Sequence, residues 1–593
     1  MNSPRQTPRT GSAASGSAHQ TGTRARPRAP RRRTAVAGLA AGALALATLL
    51  SACGGDGGGG ATTSGSGDTA GGSATVANGT PASGGTITYA HVQEVPCLDP
   101  ASGGWVQQAL IARQYLDSLV SLEPGGRLVP WLATSWSVSP DGLRYTLQLK
   151  RGVRFTDGSP FDADAVKANI AHWFDPRTGS GALTYFGGLF DARSTRVVDP
   201  YTVAITLNAP YSPLLTVLSQ SYFGMQSPRA LARGLADNCE SPVGTGPFVV
   251  EKWNHGQDVT MVRNPGYNSA PENARHQGPA YVDGLVWKFL PDPTARFGAL
   301  ETGQVDAIYD VPTVDWDGAR ADFELQQVIT PGAPVRLALN TIRPPFDELK
   351  VRQAFLYAGN ARAAAESAFN GVVPWAGNPA LSSSTPDYDA ALADAYPLDL
   401  DSANRLLDEA GWTQRDSDGF RTKGGRRLTV RLVYGAGAII NQEGATLLQN
   451  LQQQVKEAGF DVVLEPKTQA EIFSGRYSTP DAYNAYPSYW TAPTPGVLLI
   501  NYRQSTPDSP NPWNTSFFND PQLDSTARAA NATLDPARQR ALYERAQRIV
   551  ADNAVALGLY PQTTSLAIDR RLQGVWIEPS QGEPVFGDAH FAR

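Results

Sequence analysis

Polar and apolar residues alternate along Tyr145, Leu147 and Leu149, and again along Val203, Ile205 and Leu207, the period of two that a half-buried strand requires. Arg151-Gly152 then turns the chain into Val153-Arg154-Phe155, so the spacing predicts a hairpin there. A different period follows Asp162. Val166, Ile170, Trp173 and Phe174 fall on one helical stripe, with Asp162 placed to cap it and Asp175-Pro176 to stop it. Further on, Leu428 to Tyr434 reads as a strand. Leu447, Leu448, Leu451 and Val455 share a helical face that closes at Ala458-Gly459, and Phe460 to Leu464 reads as a second strand. Strand, helix and strand with short connections make a βαβ unit, hence a parallel pair with a right-handed crossover. Asp535-Pro536 opens a late helix that continues through Arg538, Leu542, Arg545 and Ile549. From Thr86 onward the body is therefore mixed α/β, without an internal repeat or a long heptad run.

The N-terminal pattern is of another kind. Arg31-Arg32-Arg33 precedes an apolar run from Thr34 to Leu50, which ends in Leu50-Ser51-Ala52-Cys53. Basic residues, an apolar stretch and small residues make an export signal, removed from the mature protein. The run is shorter than the ~20 residues that span a bilayer core, and Gly and Ser follow it rather than a charge cluster. Its last four residues resemble the lipobox of bacterial lipoproteins, which implies a signal over 1–52 and a lipid on Cys53. Arg32-Arg33 leaves Sec and twin-arginine export both open. Gly54 to Gly85 is nearly all Gly, Ser, Ala, Thr and Asp, so 53–85 reads as lipidated cysteine plus flexible tether. Such a tether has an r.m.s. span of about 30 Å.

Composition narrows the function. The chain of 593 residues carries a net charge of −5, and removing the eight arginines of the signal leaves the mature part near −13. An acidic exported body argues against nucleic-acid binding, which needs a basic face. Cys97 and Cys239 remain in an oxidising setting, where a disulfide between them is the default and two separate buried thiols the alternative. There is no CxxC and no clustered His, so no metal site is expected. Asp157-Gly158 and Asp416-Ser417-Asp418-Gly419 read as turns rather than calcium loops.

Four ordered stretches carry a resemblance. They are Leu128-Val129-Pro130-Trp131 through Ser139-Pro140-Asp141-Gly142 to Asp162-Ala163-Asp164-Ala165-Val166; Ser241-Pro242-Val243-Gly244-Thr245-Gly246-Pro247-Phe248 with Arg263-Asn264-Pro265-Gly266-Tyr267; Leu339-Asn340-Thr341 through Pro345-Phe346-Asp347 to Val351-Arg352-Gln353-Ala354-Phe355; and Ala403-Asn404-Arg405-Leu406-Leu407-Asp408-Glu409-Ala410-Gly411-Trp412. In order and spacing they resemble the bacterial extracellular solute-binding proteins of family 5, the dipeptide-, oligopeptide- and nickel-binding components of ABC importers. The resemblance implies a two-lobed, periplasmic-binding-protein-like α/β fold (type II, the large class with an extra subdomain), with mixed sheets joined by a hinge. Carried onto this chain, the main lobe takes 86–120, 236–338 and 560–593. The extra subdomain takes 121–235 and the second lobe 339–559.

The same resemblance implies where a solute sits. Peptide-binding members hold the ligand α-amino group with an Asp in a Trp-rich loop of the second lobe. The matching stretch here is Ser488-Tyr489-Trp490-Thr491-Ala492-Pro493-Thr494-Pro495, which puts Thr491 where the Asp would be. No carboxylate lies between Asp481 and Asp508. A buried ammonium needs a paired charge that a hydroxyl does not supply, so recognition of a free peptide N-terminus is doubtful. Trp490 to Pro493 also looks like the nickel-binding branch, although no His is near to ligate metal. Tyr483, Tyr486, Tyr489 and Trp490 are either stacking surfaces or lobe core. His91 and Gln93 follow the expected first strand, Thr86 to Ala90, at the strand end where open α/β sheets bind ligands. Trp105 and Trp375 are further candidates.

The expected function is a lipid-anchored, monomeric receptor on the outer face of the cell membrane. It passes a small solute, with a peptide-like compound first, to ABC permease subunits and uses no cofactor. A metal chelate, opine or oligosaccharide is the second choice of solute, and a surface signalling receptor the second choice of role. An enzyme is not expected: Gly-x-Ser-x-Gly, His-Glu-x-x-His, a Walker loop and a Ser-x-x-Lys nucleophile motif are all missing, and the six His are scattered.

Overall fold

Three large sheets carry the body, and the loops at their ends build the site. The computed structural model describes residues 81–592 apart from 438 and 507–509, so the signal, Cys53 and the tether up to residue 80 lie outside the described residues. The described residues belong to one unit, Thr69–Arg593.

A seven-stranded sheet runs in the order Phe323–Ile329, Thr563–Asp569, Ala307–Tyr309, Thr86–His91, Gly284–Phe289, Asp258–Arg263, Phe248–Asn254. Its first strand in sequence lies parallel to its two neighbours, Gly284–Phe289 and Ala307–Tyr309. Ile87, Tyr89, Leu285, Trp287, Leu566 and Ile568 fill one face, while Ala90, Ile308 and Ala567 fill the other. Both faces of this sheet are thus covered.

A four-stranded sheet is ordered Ala133–Val138, Arg144–Leu149, Thr202–Thr206, Thr195–Asp199. Tyr145, Leu147, Leu149, Val203 and Ile205 are buried together with Ile170 and Trp173 of helix Ala163–Trp173. The Asp162 carboxylate accepts from the Ala165 amide at 3.0 Å, the cap expected there. The expected hairpin at Arg151-Gly152 is corrected. Strand Arg144–Leu149 pairs with Ala133–Val138 and Thr202–Thr206, and Val153 to Phe155 is not its partner. Instead Arg154 bridges to Pro160 around Asp157-Gly158, because the apolar Val153 and Phe155 turn into the core under the sheet.

A five-stranded sheet is ordered Asp461–Lys467, Thr429–Gly435, Ala485–Thr491, Gly332–Leu339, Ala556–Tyr560. The expected βαβ unit is present: Thr429–Gly435 and Asp461–Lys467 pair in parallel across helix Gln442–Ala458, which ends at Gly459 with φ +100°. Val335, Leu337 and Leu339 face the helices of this lobe. The whole strand Gly332–Leu339 belongs to this sheet, so the chain crosses between sheets at 330–331. Its residues are buried throughout, so its pattern does not mark the crossing. The return crossing lies between Tyr560 and Thr563.

Gly332 has φ +123°, and a Cβ there would sit 2.3 Å from the Trp490 carbonyl oxygen, so only glycine fits at the crossing. Cys97 is disulfide-bonded to Cys239, a sequence separation of 142. In the chain-entropy account a loop of that length is worth up to ~5 kcal/mol.

Candidate ligand site

Three separate pieces of chain meet at the hydroxyl of Tyr185. Tyr185 sits on the 3₁₀ turn Gly181–Phe186 of the four-stranded region. Its hydroxyl donates to the Thr491 carbonyl at 2.6 Å, in the five-stranded lobe. Gln581, from the C-terminal hairpin of the main lobe, donates to the same hydroxyl at 3.4 Å. The ring meets Trp490 edge-on at 5.8 Å between centroids. One apolar cluster runs through the junction, joining Tyr185 and Phe223 to Ala492, Val497, Leu498 and Tyr502. The lobes are thus in contact across the site.

Polar groups around this meeting point are buried but unsatisfied. Gln220 is 0% exposed, and neither its amide oxygen nor its amide nitrogen has a hydrogen-bond partner. The Gln581 oxygen, the Trp490 indole N–H and the Glu578 Oε1 are likewise unpaired. Gln220 and Trp490 lie close enough to Tyr185 to offset part of the rise that burial imposes on its phenol, although neither reaches hydrogen-bond geometry. A folded protein satisfies most buried polar atoms, so such a group needs an explanation.

Tyr489 joins this corner to a second one. Burial raises its phenol, and it lies within electrostatic reach of Tyr222, Tyr309 and Tyr560. Beyond it, Asp310 follows strand Ala307–Tyr309 with φ +59°; its carboxylate is exposed, pairs with Arg296 at 3.5 Å and lies within electrostatic reach of Glu443. Glu443 is in the first turn of helix Gln442–Ala458, so this corner too draws on both large sheets. Arg296 gives its N–H groups to the carbonyls of Leu290, Pro291, Tyr309 and Asp310 and is committed to structure.

The residues named from sequence separate into groups. Tyr489, Trp490 and Thr491 lie at the meeting point, but Thr491 acts there through its carbonyl. His91 is the last residue of strand Thr86–His91 rather than a loop residue, 1% exposed and packed against Trp287 and Tyr309. Burial and the nearby Arg296 lower its pKa to about 3, so it is neutral. Gln93 is half-buried in the loop that follows. Trp105 caps helix Val106–Ala112 and accompanies a loop pressed onto Gly181 and Ala182 ahead of Tyr185. Trp375 commits its indole N–H to the Gly558 carbonyl at 2.9 Å and its face to Arg362, and neither partner belongs to the Tyr185 convergence. Tyr483 and Tyr486 stack in a small cluster with Val433. The sequence reading missed Tyr185, Gln220, Gln581, Tyr309 and Asp310, which stand in no motif. Among the described residues no group of three or more His, Cys, Asp or Glu is arranged to hold a metal ion. No helix among them is long and apolar enough to cross a membrane.

A two-lobed α/β body whose parts meet at a polar, aromatic junction defines a class, the solute-binding proteins that enclose their ligand. The chain belongs to the bacterial extracellular solute-binding proteins, family 5: the pattern of that family's middle region matches residues 127–524. It is similar to the glutathione-binding protein GsiB of Salmonella choleraesuis (strain SC-B67), at 30% identity over 496 residues, covering 82% of this chain and 90% of the relative. Its fold is similar to that of NikA from Brucella suis in complex with Fe(III)-EDTA, with TM-score 0.74 and 25% identity over 86% of this chain and all of the other. It also resembles DppA from Helicobacter pylori in complex with the peptide STSA, with TM-score 0.71 and 23% identity over 86% of this chain and 99% of the other. The protein is a solute-binding component of an ABC importer, acting outside the cytoplasm, and not an enzyme.

Proposed function

We propose that this chain is anchored to the outer face of the cell membrane through lipid on Cys53, captures a peptide or peptide-like solute between its lobes, and hands it to an ABC permease as a monomer. The observation that carries the choice of solute is the Tyr185 corner: two amide side chains, Gln220 and Gln581, and an indole N–H offer unpaired donors and acceptors with no free charge among them. Amides pair with amides, so a backbone-like ligand satisfies this set, while a lone ammonium finds no carboxylate on Thr491. The relatives bind glutathione in one case and the peptide STSA in another, which supports the same reading. Tyr489, Trp490 and Thr491 then line the cleft, His91 and Gln93 stand behind its main-lobe wall, and Trp105 and Trp375 support it from outside.

Closure follows from differential affinity. A solute that bonds Gln581 on one lobe and the Tyr489 strand on the other is held better in the closed form, and only that difference shifts the lobes. A second reading, a solute taken as a metal chelate, is favoured by the likeness to NikA and by Trp490 to Pro493. The test is native mass spectrometry of protein purified from its host, followed by calorimetry with the released compound. A released peptide-like compound that rebinds supports the proposal. A released sugar or metal chelate replaces the solute, and a mature protein without lipid on Cys53 removes the anchor.

A further inference from the structure

Five arginines are buried among the described residues: Arg113, Arg296, Arg336, Arg352 and Arg421. Four are bonded. Arg113 holds Glu583, Ser118 and the Ser219 carbonyl; Arg296 holds four carbonyls; Arg352 holds those of Asn553, Phe346 and Asp347; Arg421 holds Asp408, Asn404 and the Ala458 carbonyl. Arg336 is the exception. It is 2% exposed, its Nε and Nη1 have no partner, and no carboxylate is paired with it. Its guanidinium carbon lies 5.5 Å from the centre of the Tyr502 ring, and the Tyr502 hydroxyl lies close enough for Arg336 to offset part of the rise that burial imposes on the phenol, although it reaches hydrogen-bond geometry with no group.

We propose that Arg336 is the anion anchor of the cleft, and that the solute presents a carboxylate to its guanidinium. The inference rests on the solute-binding reading above and names the chemistry of one end of the solute. A guanidinium stays charged at any working pH, and one buried without an anion is among the least stable arrangements a fold can keep. One aromatic face offsets only part of that penalty. The location is that of the site. Arg336 is on the strand that follows the interlobe crossing and lies opposite Ser488, one to three residues before Tyr489, Trp490 and Thr491. Tyr502 ends helix Val497–Tyr502, which packs on the turn carrying Tyr185. An arriving carboxylate accepts from Nε and Nη1 and from the Tyr502 hydroxyl, all left open by the protein itself. Asn501, on the same turn of chain, holds another unpaired amide N–H. The other end of the solute then reaches the neutral amides Gln220 and Gln581. Recognition thus needs an anion and polar neutral groups, without an ammonium.

The test uses the full mature protein, freed of ligand by unfolding and refolding. It is exposed to the desalted low-molecular-weight extract of its host culture, either untreated or methyl-esterified so that carboxylates are neutral. Retained compounds are read by native mass spectrometry. Retention from the untreated extract, with at least a tenfold loss from the esterified one, is expected. Equal retention from both overturns the anchor and leaves solute binding intact; retention from neither overturns both. Arg336→Gln is expected to stay folded and to lose at least tenfold in retention, with part restored in Arg336→Lys. Undiminished retention in Arg336→Gln overturns the anchor, and the esterification arm stands if that variant does not fold. Sodium chloride, compared with sodium fluoride at the same ionic strength, tests a small inorganic ion. A thermal midpoint that rises with chloride in wild type but not in Arg336→Gln, without any effect of esterification, assigns the site to that ion and overturns the solute carboxylate.

Discussion

Arg296 and Arg336 are the same residue type and equally buried, the first on helix Pro293–Glu301 beside the seven-stranded sheet and the second on a strand of the five-stranded sheet. Arg296 sits at the main-lobe strand ends and spends its fork on four backbone carbonyls, closing the loops after Phe289 and Tyr309. Arg336 sits in the middle of a strand that is paired on both sides and shifts register at this residue, and its Nε and Nη1 reach no acceptor. One position uses a cation to finish the fold. The other holds a cation that the fold leaves unfinished. Since a hydrogen bond to a charged group is worth about 1.5–3 kcal/mol, the two substitutions should differ in sign as well as in size.

The sharpest break of this comparison is therefore a pair of substitutions measured by denaturant unfolding of ligand-free protein. Arg296→Met is expected to lose roughly 3–5 kcal/mol, because four carbonyls lose a buried donor. Arg336→Met is expected to be neutral or to gain about 1 kcal/mol or more, since it removes an unpaired buried charge. Equal losses in both would erase the distinction. Next in size is Glu578→Gln. Burial raises Glu578 to about 8, Arg113 lowers it and Glu583 raises it. A carboxyl raised in the folded state contributes its stability below its unfolded pKa of 4.5 and loses it as pH climbs toward 8. Stability of the wild type should then fall between pH 5 and 8 by an amount on the order of 1–3 kcal/mol that Glu578→Gln does not lose.

Asp99 runs the other way. Burial alone would raise it, but hydrogen bonds from His172, Gln226 and Asn238 more than offset this and leave it lowered. Its contribution is present above the unfolded value of 3.8 and is lost as pH falls through the folded one. Asp99→Asn should flatten the acid limb of the stability curve, read by circular dichroism. Smaller still is Tyr185→Phe, which leaves the Thr491 carbonyl without its donor at a cost of about 1–2 kcal/mol. Gln220→Leu, with no bond to lose, should change stability by less than about 1 kcal/mol and yet weaken solute binding in calorimetry. A large stability loss in Gln220→Leu would mark that amide as structural.

The strands and helices that were read correctly are those with one buried face. Tyr145, Leu147 and Leu149, the Asp162 cap, and the βαβ unit over residues 428–464 all repeat a pattern set by burial on one side. Val153 and Phe155 misled because apolar residues two apart also occur in a loop that folds under a sheet. The candidate site was legible only where a motif ran through it, at Tyr489 to Thr491. Gln220, Tyr185 and Gln581 come from three distant segments and carry no periodic signal. One clue lies in the sequence: Arg336 interrupts the apolar strand Gly332–Leu339, and a charge there has to be accounted for.

By itself, the sequence determined the mixed α/β class and the family and made the pairing of Cys97 with Cys239 the default, because local periodicity, capping and redox chemistry act over short or forced distances. Only the tertiary structure decided which polar side chains are left without partners. Satisfaction of a buried donor depends on every group around it, and those groups arrive from residues hundreds of positions apart.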